Sequence, residues 1–388
     1  MNNRREFLRT CAGVASALAV TTAEAKPLDT KPRIPVKLAL YGLEHDHAIY
    51  MMERLLSHKD VKLVGIIEPN QQLAHRYSGL FGLDPALFVP TLDTLRHRVK
   101  VEAVAAFTST FAHVEVVEAC APLGIHVMME KPMAVNLEHA QRIAAAAERG
   151  GIHVLVNYDT SWYPSVQRAI DCVLKERCVG EVHKLVLRAG HDGPGPTTSA
   201  EFLSWLTDPR LNGGGVIMDF GSYGVDLLTV LMGNERPKSV VAILQTLRPD
   251  RYPKVDDEAT IVVAYARAVG IIQASWNWPV SRKDFDVYGV DGELSVLNPQ
   301  NLVYRESDAL VEARQDISPT TQEDYNRDRA IPAAPPTGPL TDEFSYLAAA
   351  VRGEIKPSGP SSLATNLIVT EILSAAGESA RSGRRVDL

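Results

Sequence analysis

Cysteine is scarce in this sequence, and the few residues present form no pattern. Four of the 388 residues are Cys. Cys11, Cys120, Cys172 and Cys178 show neither C-x-x-C nor zinc-ligand spacing, which excludes a disulfide scaffold and a structural zinc module. The segment VLKER between Cys172 and Cys178 reads as helix, and six helical residues hold two side chains too far apart for a bridge. Both are therefore expected as free thiols. A surplus of positive charge is missing too. Forty Lys and Arg against 47 Asp and Glu give a net charge of −7, so no concentrated basic face exists for nucleic acid. Gly and Pro, at 26 and 24 residues, are too few for a collagen-like or linker-dominated chain. What remains is an ordinary globular composition, 45% hydrophobic and 22% charged. At ~100–200 residues per domain the length suits two domains.

The N-terminus reads as an address. Arg4-Arg5 is followed by Phe7-Leu8, an apolar run from Cys11 to Val20, and the small-x-small triplet Ala23-Glu24-Ala25. That run is about half the ~20 residues that cross a bilayer. The pattern predicts a twin-arginine (Tat) export signal over residues 1–25, a periplasmic or secreted location, and no membrane attachment after cleavage. An arm over 26–35 follows.

From Val36 the pattern becomes regular. VKLALYGL, KLVGIIE, VEAVAAFT, HVMME and HVLVNY are short apolar runs of the kind that form buried parallel strands, and helical spacings separate them. This alternation predicts an α/β, doubly wound parallel-sheet domain over 36–157. Over 158–388 the rhythm changes. SVVAILQTL, ATIVVAYA and GIIQASWNW follow one another without helices, and FDVYGVDGELSVL reads as a hairpin around Asp291-Gly292. The second domain is therefore expected to be α+β with a mostly antiparallel sheet. GGGVIMDFGSYGVDLLTVLMG reads mostly as one helix, and the polar, Pro-rich stretch 307–339 as loop.

In a doubly wound sheet the first βα turn is the dinucleotide site, marked by G-x-G-x-x-G. This chain has Gly42-Leu43-Glu44-His45-Asp46-His47. Only the first glycine is present. Glu44 takes the second position, where a carboxylate would face phosphates, and His47 takes the third. Glu68, closing the second strand, suits the ribose hydroxyls of NAD, and no arginine follows it to receive a 2′-phosphate, so NAD is favoured over NADP. His45 and His47 also invite a metal reading, but neighbours in one turn rarely converge on an ion, and no metal is expected.

Three further motifs occur in a characteristic order. A buried strand ends in Glu130-Lys131-Pro132, the stretch Phe107–Ala134 leads into it, and GGGVIMDFGSYGVDLL follows at 213–228. With these motifs the chain resembles the Gfo/Idh/MocA oxidoreductases, and Arg4-Arg5 makes it similar to their Tat-exported, glucose–fructose oxidoreductase-like members. The resemblance implies a Rossmann domain holding NAD (or NADP) through Gly42, Glu44, His45, Glu68, Thr108, His113, Glu130 and Lys131. It implies Lys131, Asp219 and Tyr223 as the catalytic group. Tyr223 stands where the family carries His, and a neighbouring cation such as Lys131 would have to lower its phenol for work at neutral pH. The resemblance also implies a small carbohydrate or polyol substrate and a homo-oligomer. Outside the cytoplasm no free nicotinamide pool exists, so an exported member must hold its cofactor tightly. The usual Arg before Tyr163-Pro164 is absent.

Aromatic faces pack against sugar C–H faces. Trp162, Trp205 and Trp276, with His191 and Asp192, are therefore the candidate substrate contacts beside Lys131, and Arg282 is a weaker one. Two other functions suit the same residues: glycoside cleavage with internally recycled NAD, and a non-catalytic sugar-binding or partner protein.

Overall fold

The computed structural model describes residues 34–315 and 328–388. The expected export signal (1–25) and the arm up to residue 33 lie outside the described residues. The apolar runs become a parallel sheet of β1 (Val36–Tyr41), β2 (Val61–Ile67), β3 (Phe88–Val89), β4 (Ala103–Ala106), β5 (His126–Glu130) and β6 (Val154–Asn157), in the order 3-2-1-4-5-6. Every pairing is parallel. All four residues of β4 are buried, as a strand covered by helices on both faces requires. The helices are punctuated as their sequences imply. Leu137–Gly150 starts where the Asn136 side chain accepts from the His139 N–H, and it ends at Gly151 in the left-handed region. Strand order reverses between β1 and β4, so a crevice opens beyond their carboxyl ends.

A second sheet is built from β7 (Val182–Gly190), β8 (Ser239–Gln245), β9 (Glu258–Ala264), β10 (Val269–Ser275), β11 (Arg282–Gly289), β12 (Gly292–Val296), β13 (Leu302–Glu306), β14 (Arg329–Ile331) and β15 (Val386–Asp387). Its order is 14-13-12-11-7-10-9-8-15. Only β7 with β10 runs parallel; the other pairs are antiparallel. One face packs on the helices Gly221–Leu231 and Leu363–Ser382. Close approach there depends on missing side chains: a Cβ on Gly224 would lie 2.4 Å from Ile272, and one on Gly270 2.4 Å from Leu228.

Three expectations are corrected. The single helix expected across 213–233 is two, Val216–Asp219 and Gly221–Leu231, interrupted at Phe220. The stretch read as loop from 307 contains a helix, Asp308–Gln315, and strand β14. Cys172 and Cys178 are bridged, with Cα atoms 5.4 Å apart. The helix Pro164–Ile170 widens into a π turn over Asp171–Lys175, and Arg177 then takes φ +53°. The chain therefore doubles back, and the Cys178 N–H donates to the Cys172 carbonyl at 2.9 Å. A regular helix would have kept the thiols apart; this one ends between them.

Asp226 is fully buried in Gly221–Leu231, and neither carboxyl oxygen has a hydrogen-bond partner among the described residues. Burial pushes its carboxyl far above the ordinary range. The folded state therefore keeps the proton, and stability falls as pH rises out of the usual carboxylate range toward the folded value. Asp226→Asn is expected to raise Tm by several degrees at pH 7, with the gain shrinking to nothing near pH 4. Thermal melts at the two pH values check this; an equal shift at both would show that the charge is not responsible.

Candidate active site

Lys131 is the first residue beyond β5, and its side chain is 6% exposed. Its ammonium donates to the Asp219 carboxylate Oδ1 and, at 3.2 Å, to the Asp219 backbone carbonyl. Asp219 reaches that point because its short helix is fixed from a neighbouring segment: the Asp256 carboxylate accepts from the Gly215 and Ile217 N–H groups at 2.8 and 2.7 Å. The Trp276 indole donates to Asp219 Oδ2 at 2.8 Å. Burial alone would raise the Asp219 carboxyl, but the Lys131 ammonium and the indole hold it below its ordinary range.

Tyr223, one turn further on, is buried, with the Lys131 ammonium 5.0 Å from its ring centroid. Its phenol lies well above its ordinary value, first through burial and then through Asp159, Glu130 and Asp219. This corrects the expected lowering by Lys131, whose charge is already matched by Asp219. Tyr223 is therefore a proton or hydrogen-bond donor at neutral pH.

Lys131, Asp219 and Tyr223 open onto a cavity of about 830 Å³, with His191, Tyr163 and Lys283 in its walls and His47 and Tyr50 contributed from the helix after β1. His191 Nδ1 accepts from the Gly193 N–H at 2.7 Å, and burial lowers its pKa. The neutral ring therefore presents its Nε2–H as a donor. Asp192 and Arg282 also line the cavity.

A stretch of the second domain crosses the first βα turn. Ser199 donates its N–H to Asp46 Oδ2 at 2.9 Å, and the Trp205 indole donates to the Glu44 carbonyl at 3.3 Å. Arg76 pairs with Glu201 at 3.3 Å. The rings of Phe202 and Trp205 pack on buried His45 at 4.5 and 5.4 Å. Thr197, Thr198, Phe202 and Leu206 of the same stretch also wall the cavity.

Comparison with known families decides between the available identities. Residues 41–158 match the oxidoreductase family with an NAD-binding Rossmann fold, and residues 168–295 match the GFO/IDH/MocA C-terminal domain. The chain belongs to the Gfo/Idh/MocA oxidoreductase family. Among its relatives, trans-1,2-dihydrobenzene-1,2-diol dehydrogenase of Xenopus laevis is 29% identical over 130 residues, which span 34% of this chain and 37% of that enzyme. Inositol 2-dehydrogenase of Rhizobium meliloti (strain 1021) is 24% identical, covering 79% of this chain and 86% of the relative. Among solved structures, aldose-aldose oxidoreductase of Caulobacter crescentus, complexed with glycerol, superposes with TM-score 0.75 at 22% identity, over 92% of this chain and all of that one. An inositol dehydrogenase homolog of Azotobacter vinelandii, complexed with NAD+, gives TM-score 0.74 at 21% identity, over 92% and 98%.

Within this Gfo/Idh/MocA member, the crevice fits a dinucleotide at its ribose end. Gly42 has φ +79°, and a Cβ there would lie 2.6 Å from the Thr108 methyl, so only glycine keeps the strand ends this close. Glu68 closes β2 with a buried carboxylate that accepts from the Asn70 N–H at 2.7 Å. Burial raises its carboxyl. The Glu44 carboxylate accepts from the Ser109 N–H at 2.7 Å, and burial raises its carboxyl above the ordinary range. The Thr108 hydroxyl donates to the Ser109 carbonyl.

Other expected contacts are placed elsewhere. His113 lies fully buried with Nδ1 on the Met133 carbonyl, and burial lowers its pKa to about 4; it supports the turn after β5 from behind. Trp162 donates to Asn157 and packs on Tyr346, outside the cavity walls. Trp276 is fully buried behind Asp219 and holds the carboxylate rather than a substrate face. Trp205 covers the βα turn as described. Glu130 is bonded to His47 Nδ1 at 3.0 Å and to Asn157 at 3.0 Å. His45, His47 and Glu130 come within 4.8 Å of one another, a grouping that required β5 and was invisible in the turn's sequence. They form a hydrogen-bond chain: the His45 Nδ1 lone pair already accepts the His47 N–H at 3.1 Å, so that nitrogen is not free for a cation.

Lys283 and Asp159 were missed. Lys283 falls on the same face of β11 as buried Phe285 and Val287. A lysine in register with inward apolar residues needs a carboxylate partner, and that was the available signal.

Proposed function

We propose that this chain is an exported oxidoreductase that acts on a hydroxyl of a neutral sugar or cyclitol with a tightly held NAD, NADP being the second choice. The observation that carries the reading is the convergence of Lys131, Asp219, Tyr223 and the His191 donor on one cavity of about 830 Å³. NAD bound in the crevice supplies the hydride acceptor. Lys131 polarises the reacting oxygen and Asp219 fixes Lys131. Tyr223, which carries its proton, donates it when a carbonyl is reduced. When a hydroxyl is oxidised Tyr223 relays that proton, passing its own to cavity water as it takes up the substrate's. The polyol-handling relatives and the glycerol-bound aldose-aldose oxidoreductase favour a carbohydrate substrate. The Cys172–Cys178 bridge is the kind of feature that persists in an oxidising compartment, which supports export. The outward face of the second sheet exposes Val241, Ile243, Val269 and Tyr288, a surface suited to pairing with a second copy.

Protein isolated from its native host is expected in the periplasmic fraction, carrying one nicotinamide per subunit releasable by denaturation. It should turn over within a panel of D-glucose, D-galactose, D-xylose and myo-inositol. A chain with no releasable nicotinamide, and no Tm rise with added NAD or NADP, would overturn the reading.

A further inference from the structure

We propose that Lys283 is a specificity-determining residue that binds a substrate hydroxyl on a carbon next to the reacting one. The inference rests on the polyol reading above and names the part of the substrate that the second domain recognises. Lys283 is the second residue of β11, its side chain 22% exposed, and it lines the same cavity as Lys131. Its ammonium gives two hydrogen bonds to Asp159, at 2.8 Å to Oδ1 and 2.7 Å to Oδ2. Asp159 is fixed in turn by the Tyr163 hydroxyl at 2.7 Å. An ammonium has three N–H donors, and the third has no hydrogen-bond acceptor among the described residues. Lys283 Nζ lies 4.0 Å from the Tyr223 ring centroid, the same ring that Lys131 approaches to 5.0 Å. Both ammonium groups therefore lie within about 9 Å of each other beside one ring, a separation that a substrate with one oxygen on Lys131 and the adjacent oxygen on Lys283 would span.

The charge balance decides what kind of oxygen that is. Lys131 is matched by Asp219, Lys283 by Asp159, and Arg282 in the same wall by Asp284 at 2.5 and 2.7 Å. Each cation has its own carboxylate, so no unmatched positive charge remains to hold a carboxylate or phosphate. The arrangement suits a neutral vicinal diol, with one hydroxyl on Lys131 and the other on Lys283.

The test uses the NAD-loaded protein and the panel polyol with the highest kcat/KM. K283M is expected to raise KM about 10- to 100-fold with kcat changed less than about threefold, and K283R to recover most of the loss. An analogue of that polyol deoxygenated beside the reacting carbon should cost the wild type a similar factor and cost K283M nothing further. D-Glucuronate should not outperform D-glucose. An unchanged KM in K283M, or a fall in kcat at constant KM, overturns the proposal and leaves the polyol reading standing. If K283M does not fold, K283Q, which keeps a donor for Asp159, is compared with wild type on the polyol and its deoxy analogue, and an equal loss on the analogue in both overturns the proposal. Wild-type protein that turns over no polyol removes the parent reading, and this inference with it.

Discussion

Lys131→Met is expected to lower kcat by about a thousandfold or more, because no other buried ammonium can take its place on the reacting oxygen. Lys283 is committed to Asp159. The same substitution strands Asp219, whose carboxylate is buried and held ionised by that ammonium, at a cost of about 3–5 kcal/mol in stability. The two losses separate in the double variant Lys131→Met/Asp219→Asn, which keeps an acceptor for the Trp276 indole and removes the stranded charge. It should recover much of the lost Tm and none of the activity. Steady-state kinetics beside thermal melts make the comparison. A double variant that regained activity with stability would show Lys131 to be structural only.

Tyr223→Phe is expected to reduce kcat about a hundredfold with little change in Tm. The ring packs with Tyr158 and Phe220 at 5.4 and 5.8 Å, and those contacts survive the loss of the hydroxyl. The sign of the pH dependence follows from the raised phenol. A group held protonated well above its ordinary value near ~10 contributes no titration at neutral pH, so the kcat profile should lack a phenol limb there. Tyr223→His should bring one. In the oxidising direction the rate should then rise with pH through the ordinary imidazole range, near ~6.5. Full activity in Tyr223→Phe would remove the hydroxyl from the reaction.

Much of the architecture was legible because parallel strands buried on both faces have to be apolar runs, and VKLALY or AVAA can be little else. Lys131 was legible for a related reason: EKP ends such a run, so it had to stand at a strand's carboxyl end. Elsewhere local pattern was not enough. Trp276 ends a strand as a surface aromatic might, but only the path of the helix Val216–Asp219 turns its indole toward Asp219. The Cys172–Cys178 bridge depends on a π turn and one residue at positive φ, and neither leaves a mark in VLKER. The raised Tyr223 phenol depends on burial and on the charges of Asp159, in the turn after β6, and Glu130, at the end of β5. Such long-range sums of burial and charge have no counterpart in residue spacing.

The stretch from Thr197 to Leu206 has two neighbours at once, the first βα turn beneath it and the Lys131 cavity beside it. A molecule that orders or lifts it from one side changes the free energy available on the other. By thermodynamic reciprocity each ligand alters the other's affinity by the same factor. A dinucleotide in the crevice and a second molecule in the cavity would thus be linked wherever one of them shifts these ten residues, without having to touch.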